Sequence, residues 1–199
     1  MYNVNKNIDS EGRSANFIDV GIHDNVELKG VEYKVSPEAG NEFMVFHFVD
    51  ESGKTLSHTE WKPKDQDPDK LINKTNNQIK RVKHIITKFI PDDIYIFEVS
   101  DFKSFCTKTI QLLGNAYIGK KVRFKVVYSF YNFTSLPNYV PFIEKMEVPR
   151  DQSKLEILSI DKMVKEKADV ESHVETNPFE TPVSGLVGNT SRDINDLPF

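Results

Sequence analysis

Along the chain, apolar and polar positions recur with two different periods. From Val26 to Val35 they alternate residue by residue, but the alternation changes phase at Gly30. Strict alternation predicts a half-buried strand, and a glycine at the slip predicts a β-bulge that bends it. Two further strands are predicted over 41–49 and 54–62, joined by the hairpin turn Asp50-Glu51-Ser52-Gly53. The period then lengthens. Ile79, Val82, Ile85, Ile86 and Phe89 recur three or four residues apart, the stripe of an amphipathic helix over 71–89 that Pro91 stops. Asp101 is placed to cap a second helix, which buries Phe102, Phe105, Ile110 and Leu113 and ends at Gly114. Two more strands are predicted over 120–131 and 139–148, and a short apolar segment, 155–160, to close the domain.

Three strands, helices, then two strands is the order of an OB-fold, a five-stranded barrel with its helical element between strands three and four. The predicted fold class is therefore mainly β with α. Residues 1–16 read as a flexible polar arm, 17–160 as the barrel and 161–199 as a disordered acidic tail, poor in bulky apolar residues.

Charge sharpens this division. The chain carries 26 Lys/Arg and 30 Asp/Glu; four and eight of these lie in 161–199, leaving 22 of each for the body. Within the neutral body, residues 71–91 and 102–143 contain no acid. The first stretch holds Lys74, Lys80, Arg81, Lys83 and Lys88, and ten aromatics are interleaved with the cations of the second. Cations suit the phosphates of a single strand and exposed rings suit its unstacked bases. Alternation over 120–131 turns Val122, Phe124, Val126, Tyr128 and Phe130 inward, and Lys121, Arg123, Lys125 and Tyr131 to solvent. The loop that follows adds Phe133 and Tyr139. Trp61, with Lys62 and Lys64 just after it, is either a stacking platform or a core plug; Lys34 and Arg81 complete the predicted DNA contacts. Tyr33, Phe46 and Phe48 are expected in the core.

The last residues, Asp193-Ile194-Asn195-Asp196-Leu197-Pro198-Phe199, carry the sharpest motif. They resemble the C-terminal tip of bacterial single-stranded DNA-binding proteins, an acidic linker ending in Asp, an aliphatic residue, Pro and Phe. Asp196, Leu197, Pro198 and Phe199 match position by position, Asp193 fits the acidic run, and Asn195 departs from it. The resemblance implies that the tip recruits replication or repair proteins by seating Phe199 in an apolar pocket; Ile194 is counted among the partner-binding residues. It covers about seven residues. The body matches only the general OB type, as in a bacteriophage version of the family. The expected function is thus to coat single-stranded DNA in replication, recombination or repair, with homo-oligomers left open. An adaptor that binds proteins without DNA is the alternative, and a nucleic-acid enzyme a weaker one.

Catalytic and metal motifs fail on inspection. Gly114–Lys121 approaches a phosphate-binding loop, but Lys121 stands where Ser or Thr should hold magnesium, and the helix precedes rather than follows. Asp65, Asp67 and Asp69 alternate like a calcium loop, yet Lys70 and Asn76 occupy the positions of its glycine and its bidentate glutamate. His23, His47, His58, His84 and His173 show no ligand spacing, so no metal or cofactor and no enzymatic activity is expected. The single cysteine, Cys106, allows no intrachain disulfide and is expected buried and inert. No apolar run approaches the roughly 20 residues that span a bilayer, and the N-terminus shows no signal peptide. A cytoplasmic protein, or one of the host cytoplasm if from a bacteriophage, is expected.

Overall fold

In the computed structural model, which describes residues 16–165, the longest strand serves two ladders. β1 (Gly21–Val35) pairs antiparallel with β2 (Glu42–Val49) through its C-terminal half, from Glu27 opposite Val49 to Val35 opposite Glu42. Its N-terminal half pairs antiparallel with β4 (Lys121–Tyr128), from Gly21 opposite Val126 to Glu27 opposite Lys121. One strand can feed two ladders only by bending, and it bends where the register slips. Lys29 is the extra residue of the first slip, between Leu28 and Gly30, at the expected glycine. The second lies between His23 and Val26, where Asn25 takes a φ of 57°.

β3 (Thr55–Trp61) continues the meander, pairing with β2 from Phe43 opposite Trp61 to Val49 opposite Thr55. The turn between them is held by the Asp50 carboxylate, which accepts from the amides of Ser52 and Lys54 at 2.9 and 2.8 Å. α1 (Pro68–Ile86) and α2 (Phe102–Leu113) follow. Asp67 caps α1 by accepting from the amides of Asp69 and Lys70, with Pro68 in the first turn where its missing N–H costs nothing. The run of alternating aspartates is thus a helix cap. Val82, Ile85, Ile86 and Phe89 are buried as the stripe predicts, whereas Ile79 is exposed. Asp101 caps α2 and Gly114, at φ 48°, ends it; Phe102, Cys106, Thr109 and Leu113 face the core.

The fifth barrel position differs from expectation. A single strand over 139–148 is replaced by two short pieces, β5 (Thr134–Ser135) against Val127 and Tyr128, and β6 (Ile143–Lys145) against Val122 to Phe124. Both lie on one edge of β4. The residues between them include Pro137 and Pro141, which have no N–H to give a ladder, while Leu136 and Phe142 plunge into the core. The seam between β3 and β5 is bridged by side chains, His58 Nδ1 and the Ser135 hydroxyl sharing a hydrogen bond of 3.3 Å. The result is a nearly closed, five-stranded antiparallel barrel of OB type with two helices.

Beyond β6 the chain turns back as a strap across β4. Leu155 is buried, but Ile157, Leu158 and Ile160 are exposed, so the apolar segment closes the core through one residue only. The Tyr128 amide donates to the Lys162 carbonyl at 2.7 Å, which places the strap on the edge of β4 beyond the reach of β1. Phe130, expected inside, is 82% exposed because β4 has already ended at Tyr128.

Candidate nucleic-acid interface

Alternation on β3 sends Leu56, His58 and Glu60 inward and Thr55, Ser57, Thr59 and Trp61 outward. The register then assembles an outer face in rows: Lys34, Phe43 and Trp61; Glu32, Val45 and Thr59; Gly30, His47 and Ser57. At one end of this face the Phe43 and Trp61 rings meet with centroids 4.5 Å apart. Trp61 is 52% exposed, which excludes the core-plug alternative. Lys62 pairs with Glu42, whose carboxylate also accepts from the Tyr33 hydroxyl, and Lys64 reaches Asn41. Lys34 pairs with Glu32 on the face itself.

At the other end stands the β4–β5 loop. The Ser129 amide donates to the Phe133 carbonyl at 2.7 Å, and Asn132 takes a φ of 60° to close the turn. This tight reversal leaves no room inside for the rings it carries. Phe130 and Tyr131 stand edge to face, centroids 5.3 Å apart, and Phe133 is 71% exposed. Between this loop and the start of β3 opens a cavity of about 550 Å³, walled by Phe17, Tyr128 and Phe133 with Asp19, Ser57 and Lys165. Phe17 is fixed there by the backbone. The Thr55 amide donates to the Asn16 carbonyl at 2.8 Å, and the Ile18 amide to the Thr55 carbonyl at 3.0 Å.

No protein-family model matches the chain, and no curated protein matches it. The site is therefore read from its own geometry.

That geometry corrects the expectation for β4. Val122, Phe124 and Val126 do fill the core, but the opposite face is covered rather than solvated. The Arg123 side chain, 4% exposed, is held between Asp24 and Glu144 and donates to the Val148 carbonyl at 3.2 Å. Lys125, 1% exposed, donates to Asp161, the Tyr139 hydroxyl and the Glu156 carbonyl at 2.7, 2.7 and 2.9 Å. Tyr139 in turn donates to Asp161. Neither cation, nor Tyr139, is presented to a ligand. Arg81 is also committed, its guanidinium lying bidentate on Glu60 at 2.7 and 2.6 Å. Burial pushes the Glu60 carboxyl up, but Arg81 and His58 outweigh it and hold it at about 2. A stretch without acids in sequence is not without acids in space. Of the predicted contacts, Lys34, Trp61, Lys62, Lys64, Lys121, Tyr131 and Phe133 remain at the surface, Lys121 paired with Glu51 at 2.8 Å.

Sequence reasoning missed Phe17, Phe43, Tyr128 and Phe130 as surface rings. Phe43 was legible in principle, since it shares its parity on β2 with Val45 and His47 and not with Met44, Phe46 and Phe48. Apolar residues of both parities hid that distinction. Asp193, Ile194, Asp196, Leu197, Pro198 and Phe199 lie outside the described residues. Among the described residues no helix is long and apolar enough to cross a membrane, and no three of His, Cys, Asp and Glu come together to hold a metal ion.

Proposed function

We propose that this protein binds single-stranded DNA along the outer face of β1–β3, between a Trp61–Phe43 platform and the aromatic β4–β5 loop. The observation that carries the reading is the half-exposed indole on the sheet face, with three exposed rings on the loop at the far end. An isolated exposed ring is ordinary; rings at both ends of one strand face on an OB-type barrel match what successive unstacked bases require. Lys34, Lys62 and Lys64 flank the platform and supply the phosphate contacts. With about three or four such contacts, log affinity falls against log salt with a slope of roughly −2 to −3. Because Trp61 is the only tryptophan, its fluorescence reports on the site directly. Titration with an oligonucleotide quenches it, and duplex of the same length binds more weakly. Tighter duplex binding, or an emission that ignores DNA while binding occurs elsewhere, refutes the assignment.

The reading includes recruitment of a replication or repair protein through Asp196-Leu197-Pro198-Phe199, supported by the resemblance of that segment. The adaptor alternative draws on one observation, that Lys34, Lys62, Arg81, Lys121, Arg123 and Lys125 all pair with carboxylates. An adaptor shows no salt-dependent binding to any oligonucleotide, so the same titration separates the two.

A further inference from the structure

We infer that the cavity beneath the β4–β5 loop is a nucleobase cup that prefers bases carrying an exocyclic amine, cytosine over thymine. The inference rests on the single-strand reading and adds a chemical preference to it. The cup's walls are the rings of Phe17, Tyr128 and Phe133, which any base can stack against. Its polar groups are fewer and more selective. Asp19 lines it with a carboxylate, Ser57 with a hydroxyl, and the Lys165 ammonium sits 5.6 Å from the centre of the Tyr128 ring.

A carboxylate can only accept hydrogen bonds. Cytosine and adenine each offer an amino group that donates, and guanine donates from its amine as well. Thymine shows the O4 carbonyl in the corresponding place, which repels a carboxylate, and its one donor, N3–H, lies between two carbonyl oxygens. Asp19 stays ionised through neutral pH, since the hydrogen bond and charge of Lys54 hold its carboxyl below the usual range. Lys54 reaches one oxygen of Asp19 at 2.6 Å, and a carboxylate has about four acceptor sites, so capacity remains for a base. Lys54 and Lys165 then offer cations for the adjoining phosphates. Ser57 and Trp61 share one face of β3 four residues apart, about 13 Å at the rise of a strand. One short oligonucleotide therefore reaches both the cup and the indole.

The test is competition by unlabelled (dC) and (dT) homopolymers of equal length against a labelled mixed-sequence oligonucleotide at fixed salt and neutral pH. The full chain is expected to prefer (dC) by roughly 2- to 10-fold, the range of one hydrogen bond made near solvent. Asp19→Asn, whose amide can also donate to thymine, should erase the preference, while Lys54→Ala should keep it. Oligonucleotides with 2-pyrimidinone in place of cytosine, lacking only the amine, should lose it without any change to the protein. Equal affinity for (dC) and (dT) with Trp61 quenching intact overturns the cup and leaves the single-strand reading standing. A preference that survives both Asp19→Asn and removal of the amine also overturns it. Failure of every oligonucleotide to bind overturns the cup together with the reading beneath it.

Discussion

Replacing Lys125 by Ala separates the surface that the sequence suggests from the interior that the fold builds. The ammonium group is buried and uses all three of its protons, on Asp161, Tyr139 and the Glu156 carbonyl. Removing it leaves the Asp161 carboxylate, its side chain 1% exposed, with only the Tyr139 hydroxyl and the Leu158 amide among the described residues. Burial pushes the Asp161 carboxyl up, and at present the hydrogen bonds from Lys125 and Tyr139 outweigh it and hold it below its ordinary value. Breaking one side of a buried pair costs about 3–5 kcal/mol because the other charge remains uncompensated. Against a typical total of roughly 5–15 kcal/mol that is a large share. At about 2–4 °C per kcal/mol for a chain of this size, Tm falls by roughly 6–20 °C. Urea unfolding followed by Trp61 emission and far-ultraviolet circular dichroism measures the loss. Lys125→Met with Asp161→Asn, which removes both charges, should recover part of it. Lys121→Ala, at the exposed end of the same strand, should leave the midpoint unchanged. If Lys125→Ala is as stable as the parent but binds DNA with a shallower salt slope, Lys125 is a phosphate contact and the buried assignment is wrong.

Trp61→Ala should weaken DNA binding by roughly 1–3 kcal/mol, the worth of one stacked base, with the fold intact by circular dichroism. His84 gives a pH signature: burial, with Lys88 adding repulsion, pushes its imidazole down to about 4 from an ordinary 6.5, while Nε2 accepts from the Phe142 and Ile143 amides. The unfolded chain takes up this proton below pH 6.5 and the folded one resists until about 4, so stability is full above 6.5 and declines through that window. His84→Gln should flatten the decline in urea midpoints measured at successive pH values. Deleting Leu197, Pro198 and Phe199 should abolish capture of a replication or repair partner and leave DNA affinity unchanged; identical pull-downs with and without them refute the recruiting role. Burial pushes the Cys106 thiol up to about 12, so a thiol reagent should modify it only after denaturant is added, and rapid labelling of the native chain contradicts that burial.

Local features were the legible ones. The Gly30 slip, the Asp50–Gly53 turn, the Asp101 cap and the Gly114 stop are each written within a few neighbouring residues, and each appears where expected. Barrel order followed from counting periods. What escaped was the set of long-range partners. Asp24 lies 99 residues from Arg123, and Asp161 lies 36 from Lys125. A window that moves along 102–143 sees six like charges and cannot see the carboxylates that fold against them. The split fifth strand escaped for a related reason, since Pro137 and Pro141 decide where pairing stops but apolar spacing carries on through them. At the candidate site, three of the seven predicted cations, Arg81, Arg123 and Lys125, are held by carboxylates away from the surface, while the aromatic half gained Phe43 and Phe17.

The double duty of β1 also governs how the molecule can assemble. Its second half meets β2 within a short hairpin, but its first half waits for β4, Gly21 finding Val126 across most of the barrel's length of chain. Joining segments so distant loses loop entropy before any contact compensates it, and barrels dominated by such pairings fold slowly, in milliseconds to seconds. On a ribosome the meander of β1–β3 emerges first, with hydrogen-bonding groups from Gly21 to Glu27 open along one edge. Those groups remain a template for stray pairing until Lys121–Tyr128 arrives. A chain interrupted anywhere between Trp61 and Lys121 is thus the form most exposed to aggregation.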